Sequence, residues 1–443
     1  MNEPRRFYLI SLGCPKNLVD SAGLATLLQR AGYVAAAEAE EAELLIVNTC
    51  GFIAPAREES LDVLQELAET RRPGQRIVAA GCYSQRSPDE LLAAVDTIDG
   101  LIGTRRWMDV VDLVERMESA SGREPVCRLL GTPAVGSGAL DVPRVAVQGA
   151  SGYLKLADGC RRSCAFCAIP LIKGPAVSRP PEAVLADARW LVERGVREIV
   201  LIAQDTSDYG HDLNGIEGLA ELLERLVATV PEADWMRLMY AYPGRITERL
   251  IETMARHPQI LPYLDIPLQH AHPDTLRRMR RPPDVEGVRR TVEQLRAAMP
   301  EIAVRTTFLV GFPGESGAEF RALLNFVAEM QFDRVGVFAY SHEEGTPAAA
   351  LADDVPPEVK EERRERLMEV QQPISLAKNQ ALLGRTLDVL VEGQGEGLSV
   401  GRSYRDAPEI DGLVLAQAEL PVGEILPVRI TAALEYDLVG ERV

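Results

Sequence analysis

Cysteine is scarce in this chain. Seven thiols in 443 residues cannot staple a protein of this size, which excludes a disulfide scaffold and suits a reducing compartment, so the cytoplasm is the expected location. Apolar residues never run long enough to span a bilayer. The start, Met1-Asn2-Glu3-Pro4-Arg5-Arg6, leads directly into a strand-like segment rather than the apolar region of a signal peptide. Internal repeats and low-complexity tracts are missing as well. Positive charge is short: 48 Lys and Arg face 66 Asp and Glu, for a net charge of −18. A protein of that sign repels a phosphate backbone unless it carries a local basic patch. The balance therefore counts against a nucleic-acid substrate and is compatible with a basic protein partner.

Hydrophobic residues make up 46% of the chain, ample for folded cores, and 48.5 kDa implies two or three domains. The most informative run is Asp158-Gly159-Cys160-Arg161-Arg162-Ser163-Cys164-Ala165-Phe166-Cys167. Three closely spaced thiolates hold three corners of a four-iron, four-sulfur cluster and leave the fourth iron open to a substrate or cofactor. A zinc site or unrelated thiols are the alternatives, but zinc takes four ligands, and no histidine lies within forty residues of the triplet.

The first hundred residues alternate strand-like and helix-like segments. Strands are expected at 7–12, 44–47 and 76–80, which reads as a small parallel α/β sheet. Each strand ends in a cysteine (Gly13-Cys14, Asn48-Thr49-Cys50, Gly81-Cys82), at intervals of 36 and 32 residues. Carboxyl ends of parallel strands share one edge, where ligands bind, so Cys14, Cys50 and Cys82 are expected to converge as a second metal site. Three merely buried thiols are the alternative. Cys127 fits no such pattern and reads as structural.

Residues 126–150 read as a linker, with Ser119-Ala120-Ser121-Gly122 and Val135-Gly136-Ser137-Gly138 as connecting sequence. From 151 to 375 the βα alternation resumes, with strands expected at 153–157, 198–203, 236–241, 263–267, 304–310 and 334–339. Six such units predict an open or partial α/β barrel whose functional face is the carboxyl edge of its strands. The charged segment from Pro356 reads as a helical linker. In 376–443, short β-type runs at 386–391, 413–416 and 425–430 between Gly-rich turns predict a small all-β barrel. The expected fold is thus a multidomain α/β protein: a parallel α/β domain at 1–125, the linker, a partial (βα)6 barrel, and the C-terminal β-barrel.

The triplet, with aromatic Phe166 before its last cysteine, resembles that of the radical S-adenosylmethionine (SAM) superfamily. With three strand-end cysteines and a β-barrel tail, nearly the whole chain resembles the methylthiotransferase family within it. The local strings are similar to its RimO group, which modifies an aspartate of ribosomal protein S-twelve. They are Leu12-Gly13-Cys14-Pro15-Lys16-Asn17, Ala203-Gln204-Asp205-Thr206-Ser207, Leu264-Asp265-Ile266-Pro267-Leu268-Gln269-His270, Ala407-Pro408-Glu409-Ile410-Asp411-Gly412 and Tyr436-Asp437-Leu438. The resemblance implies two [4Fe-4S] clusters. The one on Cys160, Cys164 and Cys167 cleaves SAM, and the resulting radical takes hydrogen from the aspartate β-carbon. The one on Cys14, Cys50 and Cys82 carries the sulfur, and a second SAM supplies the methyl group. It also implies an electron donor such as flavodoxin or ferredoxin.

Gly311-Phe312-Pro313-Gly314-Glu315 resembles the family's SAM-binding turn, where Gly311 and Gly314 would let the backbone approach the nucleoside; an ordinary βα turn is the alternative. Gln204, Asp205, Gln269 and Arg305, at or near barrel strand ends, are further candidates for SAM, with Arg305 suited to its carboxylate; an ordinary ion pair is the alternative for Arg305. His270 reads as a hydrogen-bonding wall or a core group rather than a ligand. The tail resembles a TRAM domain. From 376 to 443 it carries six Lys and Arg against eleven Asp and Glu, with Tyr404 and Tyr436 its only aromatics. That composition suits a basic ribosomal protein and disfavours tRNA. Two rival functions stand beside this reading: a tRNA-modifying methylthiotransferase, and an iron–sulfur carrier without chemistry of its own.

Overall fold

The computed structural model describes residues 4–119, 127–130, 142–214 and 218–443. The side chain of Cys127, residues 126 and 131–141 of the expected linker, and the two Gly-containing runs after Ser119 lie outside the described residues. The chain divides into two compact units.

The first unit comprises Met1–Ala146, Ala157–Arg162 and Cys167–Ala183. Its sheet contains β1 (Arg6–Ser11), β2 (Val34–Ala35), β3 (Leu44–Thr49), β4 (Arg76–Ala80), β5 (Gly100–Gly103) and β6 (Cys127–Leu129), in the order β2-β1-β3-β4-β5-β6 and parallel throughout. Successive strand residues point to opposite faces, and each face has its own core. Ile46 and Val78 meet Leu24, Leu28 and Leu113 on one side. Leu45, Val47, Ile77 and Ala79 meet Leu64, Leu67 and Leu91 on the other. Burying each such side chain contributes about 1.5–3 kcal/mol. A sheet covered on both faces explains why β3 and β4 read as continuous apolar runs.

Two further sheets follow. β7 (Val145–Gln148) and β8 (Ser151–Lys155) begin a seven-stranded sheet; β9 (Ala157–Asp158) and β10 (Val177–Ser178) form an antiparallel pair in the first unit. The second unit comprises Val147–Leu156, Ser163–Phe166 and Val184–Val443. It continues the large sheet with β11 (Glu198–Ile202), β12 (Trp235–Leu238), β13 (Ile260–Asp265), β14 (Ala303–Val310) and β15 (Arg334–Ala339), in the order β15-β14-β13-β12-β11-β8-β7. All six expected barrel strands are present, and their linear order leaves the barrel open. A helix at Pro357–Gln380 leads into a closed barrel of β16 (Thr386–Gly395), β17 (Leu398–Ser403), β18 (Val414–Ala416), β19 (Ile425–Ala433) and β20 (Leu438–Arg442). The units cut the chain differently from the expected four segments: residues 157–162 and 167–183 pack with the N-terminal sheet, while the open barrel and the tail barrel form one unit.

Candidate active site

The three strand-end cysteines meet. Cys14 caps the helix Pro15–Arg30 just past β1, Cys50 follows β3 directly, and Cys82 opens the helix Gly81–Arg86 after β4. Each cysteine adjoins a glycine with no room for a side chain. A Cβ on Gly13, whose φ is +84°, would lie 2.8 Å from Cys50 Sγ; one on Gly51 would lie 2.7 Å from the Tyr83 backbone. Asn17 and Asn48 lock the strand ends reciprocally. Asn17 Nδ2 donates to the carbonyls of Leu12 (2.7 Å) and Asn48 (3.0 Å), and Asn48 Nδ2 donates to the Asn17 carbonyl at 2.9 Å. Ser60 Oγ accepts the Cys50 N–H at 3.0 Å.

Cys14 is exposed, Cys50 half-buried and Cys82 buried. Burial pushes the Cys50 thiol up to about 11, with Cys14 adding to the rise. Burial pushes Cys82 up to about 12; Lys173 opposes the rise, and Cys14 and Cys50 reinforce it. Thiols close enough for Cys14 to act on Cys50, and for both to act on Cys82, share one site, and a cation bound among them would relieve their repulsion. The donor set therefore fits an iron–sulfur cluster with one iron left without a protein ligand.

The triplet occupies the loop between β9 and the helix Ile169–Lys173. The Cys160 N–H donates to the Gly174 carbonyl at 3.1 Å, which ties down the loop's start, and the Arg162 N–H reaches Cys160 Sγ at 3.4 Å. A Cβ on Gly159 would lie 2.1 Å from the Pro175 carbonyl oxygen, so only glycine fits there. In the second unit, the Ala165 N–H donates to the Met279 carbonyl at 2.8 Å. Phe166 packs against Met279, Leu309, Phe312 and Tyr340. Arg281 was not legible in the sequence. Its Nη1 donates to Cys164 Sγ at 3.4 Å, Nη2 donates to the Pro267 carbonyl at 2.6 Å, and the guanidinium lies over the Tyr242 ring at 4.5 Å. It carried no sequence signal, because it follows a helix rather than a strand.

Of the expected SAM contacts, three stay at the carboxyl edge of the sheet. Gln204 and Asp205 follow β11, and Asp205 Oδ1 accepts from Ser207 Oγ at 2.6 Å. Gln269 follows β13 with φ +74°, a conformation that costs a non-glycine residue about 1–3 kcal/mol. Its N–H donates to Thr307 and its carbonyl accepts from Leu309, each at 2.8 Å.

The others are held by partners inside the protein. Glu315 is buried and turned back on its own loop. Oε2 accepts the N–H groups of Gly311 (2.9 Å) and Phe312 (3.4 Å), and Oε1 pairs with Arg363 at 2.9 Å. Burial raises it to about 7 against the pull of Arg363 and those amides. Beside it, His270 Nε2 lies 3.6 Å from Oε2, and burial pushes this histidine down to about 3, so it stays neutral and core-like. Gly311 is needed for close packing against the Lys360 side chain, 2.3 Å from a virtual Cβ, and the Gly314 N–H donates to Asp354 at 2.7 Å. The turn is thus held by protein groups on its far side.

Arg305 is likewise held by partners inside the protein. It sits near the start of β14, five residues below its carboxyl end, with Nη1 3.0 Å from Asp265 and Nε 3.2 Å from Asp411. Both carboxylates are buried, so the guanidinium is spent on an internal ion pair. It belongs to a larger network at that end of the strands. Glu198, fully buried, accepts from Arg237 Nε and Arg402 Nη2, each at 2.7 Å. Arg405 pairs with Asp333 at 2.9 Å, Arg334 pairs with Asp406 at 2.5 Å, and Tyr263 donates to Asp411 at 2.6 Å. These contacts join the open sheet to the tail barrel within the second unit.

Comparison with known proteins agrees with this layout. Residues 6–103 match a family model described as Uncharacterized protein family UPF0004, 154–327 match the Radical SAM superfamily, and 383–443 match the TRAM domain. A protein of Roseiflexus sp. (strain RS-1) named "Ribosomal protein uS12 methylthiotransferase RimO" is 52% identical, covering 99% of this chain and 97% of its own. One of the same name from Chloroflexus aurantiacus is 51% identical over 98% and 99%. Among solved structures, the radical SAM methyltransferase TsrM of Kitasatospora setae, with cobalamin and a [4Fe-4S] cluster bound, aligns with a TM-score of 0.57 at 13% identity over 90% of this chain and 80% of its own, a likeness of fold alone. With these three segments in order and about half of its residues shared along its whole length with such relatives, the chain belongs to the RimO methylthiotransferase family of radical SAM enzymes.

Proposed function

We propose that the chain adds a methylthio group to the β-carbon of an aspartate in ribosomal protein uS12, using SAM and two [4Fe-4S] clusters. The observation that carries this reading is the meeting of Cys14, Cys50 and Cys82 on one sheet edge of a chain that also holds the Cys160, Cys164 and Cys167 triplet. Two sets of three thiols suit two clusters, each with one open iron. The target hydrogen sits on a carbon that no side-chain base deprotonates at neutral pH, because protein pKa values lie far below it. Bound to the triplet, a [4Fe-4S] cluster supplies the single electron and the open coordination site that reductive cleavage of SAM requires.

The protein's part is placement. Gly13, Gly51 and Gly81 let three strand ends crowd together, and Asn17 with Asn48 fixes their spacing. Arg281 holds a positive charge at Cys164 Sγ, where it would offset the negative charge of a cluster bound there. Gln204, Asp205 and Gln269 offer polar groups at the carboxyl edge where SAM would lie. A flavodoxin or ferredoxin supplies the electron. No helix among the described residues is long and apolar enough to cross a membrane, and a cytoplasmic enzyme meets its ribosomal substrate directly.

The test is mass spectrometry after anaerobic reaction with SAM and a reductant, with free uS12 and bulk tRNA in parallel tubes. A methylthio mass gain on an aspartate of uS12 and none on tRNA is expected. A gain confined to tRNA nucleosides would overturn the substrate, and no gain with intact SAM would leave the carrier reading in its place.

A further inference from the structure

Beneath Cys82 lies a buried group of four charges that the proposed chemistry does not use. Asp20 accepts from Lys173 Nζ at 2.7 Å and from Arg144 Nη2 at 2.9 Å. Asp158 accepts from the same Arg144 nitrogen at 2.8 Å and lies 3.8 Å from Lys173. All four side chains are at most 8% exposed, and the guanidinium of Arg144 lies 4.7 Å from the Trp107 ring centre. Two cations and two carboxylates balance, as a buried cluster must if it is not to pay a heavy desolvation cost.

Its placement is specific. Asp20 lies on the helix capped by Cys14. Lys173 ends the short helix Ile169–Lys173, whose Ile172, with Ala168 just before it, packs directly on Cys82. Lys173 and Cys82 each feel the other's charge, and Cys82 also feels Cys14 and Cys50. Lys173 is thus a cation fixed between the elements that carry two of the three strand-end thiols, and Asp20 keeps it from turning away.

We infer that Lys173 is a positioning residue for the three-thiol site: its immobilised ammonium offsets the negative charge of a cluster held by Cys14, Cys50 and Cys82 and favours that cluster's reduced state. The physical reason is the low local dielectric. There a fixed cation acts strongly on a cluster whose charge becomes more negative on reduction. The inference rests on the reading of these thiols as cluster ligands.

The full chain with Cys160→Ala, Cys164→Ala and Cys167→Ala isolates the three-thiol site for reconstitution with iron and sulfide. Lys173→Met alone strands a buried carboxylate and risks the fold, so the decisive variant is Lys173→Met with Asp20→Asn, which leaves the Arg144–Asp158 pair intact. The double variant is expected to lose iron to a chelator several-fold faster and to show a lower midpoint potential in an EPR-monitored redox titration. Lys173→Arg is expected to keep both close to the parent. An unchanged midpoint in the double variant would overturn the inference even if iron were lost faster, since a purely structural role predicts that pattern. A parent that takes up no iron would overturn the cluster reading itself, and the inference with it.

Discussion

Gly13 shows how a single position controls the site. Its φ of +84° already disfavours any side chain, and its virtual Cβ lies 2.8 Å from both Cβ and Sγ of Cys50. Alanine there pays about 1–2 kcal/mol for the left-handed backbone before any clash is counted. Relief then requires Cys50 to move, and the convergence of the three thiols is lost. Gly13→Ala is expected to lower the melting temperature modestly while abolishing most iron uptake at this site, read as iron bound per chain with the triplet cysteines replaced by alanine. Iron uptake equal to the parent would mean that the glycine serves the turn and not the approach of the thiols. Glu315 and Arg305 carry the complementary lesson. A charged residue beside a ligand-binding edge has its direction set by the nearest partner inside the fold: Arg363 and two amides for Glu315, Asp265 and Asp411 for Arg305.

At the scale of elements, Glu198 at the start of β11 ties the open sheet to the tail barrel through Arg237 on β12 and Arg402 on β17. Burial alone would raise its carboxyl, but the two guanidiniums hold it at about 2 against an ordinary value of 4.5. Because the folded value is depressed, the unfolded chain binds the proton first. Stability from this group is present above 4.5 and is lost as the pH falls towards 2, by about 3 kcal/mol in all. Glu198→Gln is expected to destabilise the protein at neutral pH, because two buried guanidiniums lose their counter-charge, and to flatten the acid limb of stability in that window. Denaturant melts from pH 5 to pH 2.5 check this; parallel slopes for both proteins would assign acid sensitivity elsewhere. The network was invisible in the sequence, since its partners lie up to 204 residues apart. β3, β4 and β11 were legible because each is largely apolar and buried on both faces. β17 and β20 were missed because Leu398-Ser399-Val400-Gly401-Arg402-Ser403 and Leu438-Val439-Gly440-Glu441-Arg442 mix polar and apolar residues on short strands, whose pairing is fixed by barrel closure. The three-thiol shelf was legible because parallel topology converts a repeat of strand-end cysteines into one edge, whereas Lys173 ends a helix and Arg281 follows one, and helix ends carry no such rule.

For the whole molecule, charge decides how a protein substrate is met. The tail carries six cations and eleven carboxylates between 376 and 443. Arg402, Arg405, Asp406 and Asp411 are buried in the network with the open sheet, so four cations and nine carboxylates remain to shape the rest of the barrel, and its net charge stays at −5. Two of the tail's five arginines, Arg402 and Arg405, are therefore turned inward and withheld from a phosphate backbone. A basic ribosomal protein approaching this surface is steered by attraction that salt screens, since the screening length shrinks from about 10 Å at 0.1 M to about 3 Å at 1 M. Added salt is expected to raise the KM for uS12 several-fold with little change in kcat. Neutralising the exposed Asp388, Glu396 and Glu419 to their amides is expected to reproduce part of that rise at low salt and to weaken the salt dependence. Steady-state methylthiolation of uS12 across a salt series, in parent and triple variant, gives both quantities. A KM indifferent to salt would assign substrate capture to another surface, and a KM that fell would mean that the barrel's acidity opposes binding rather than guiding it.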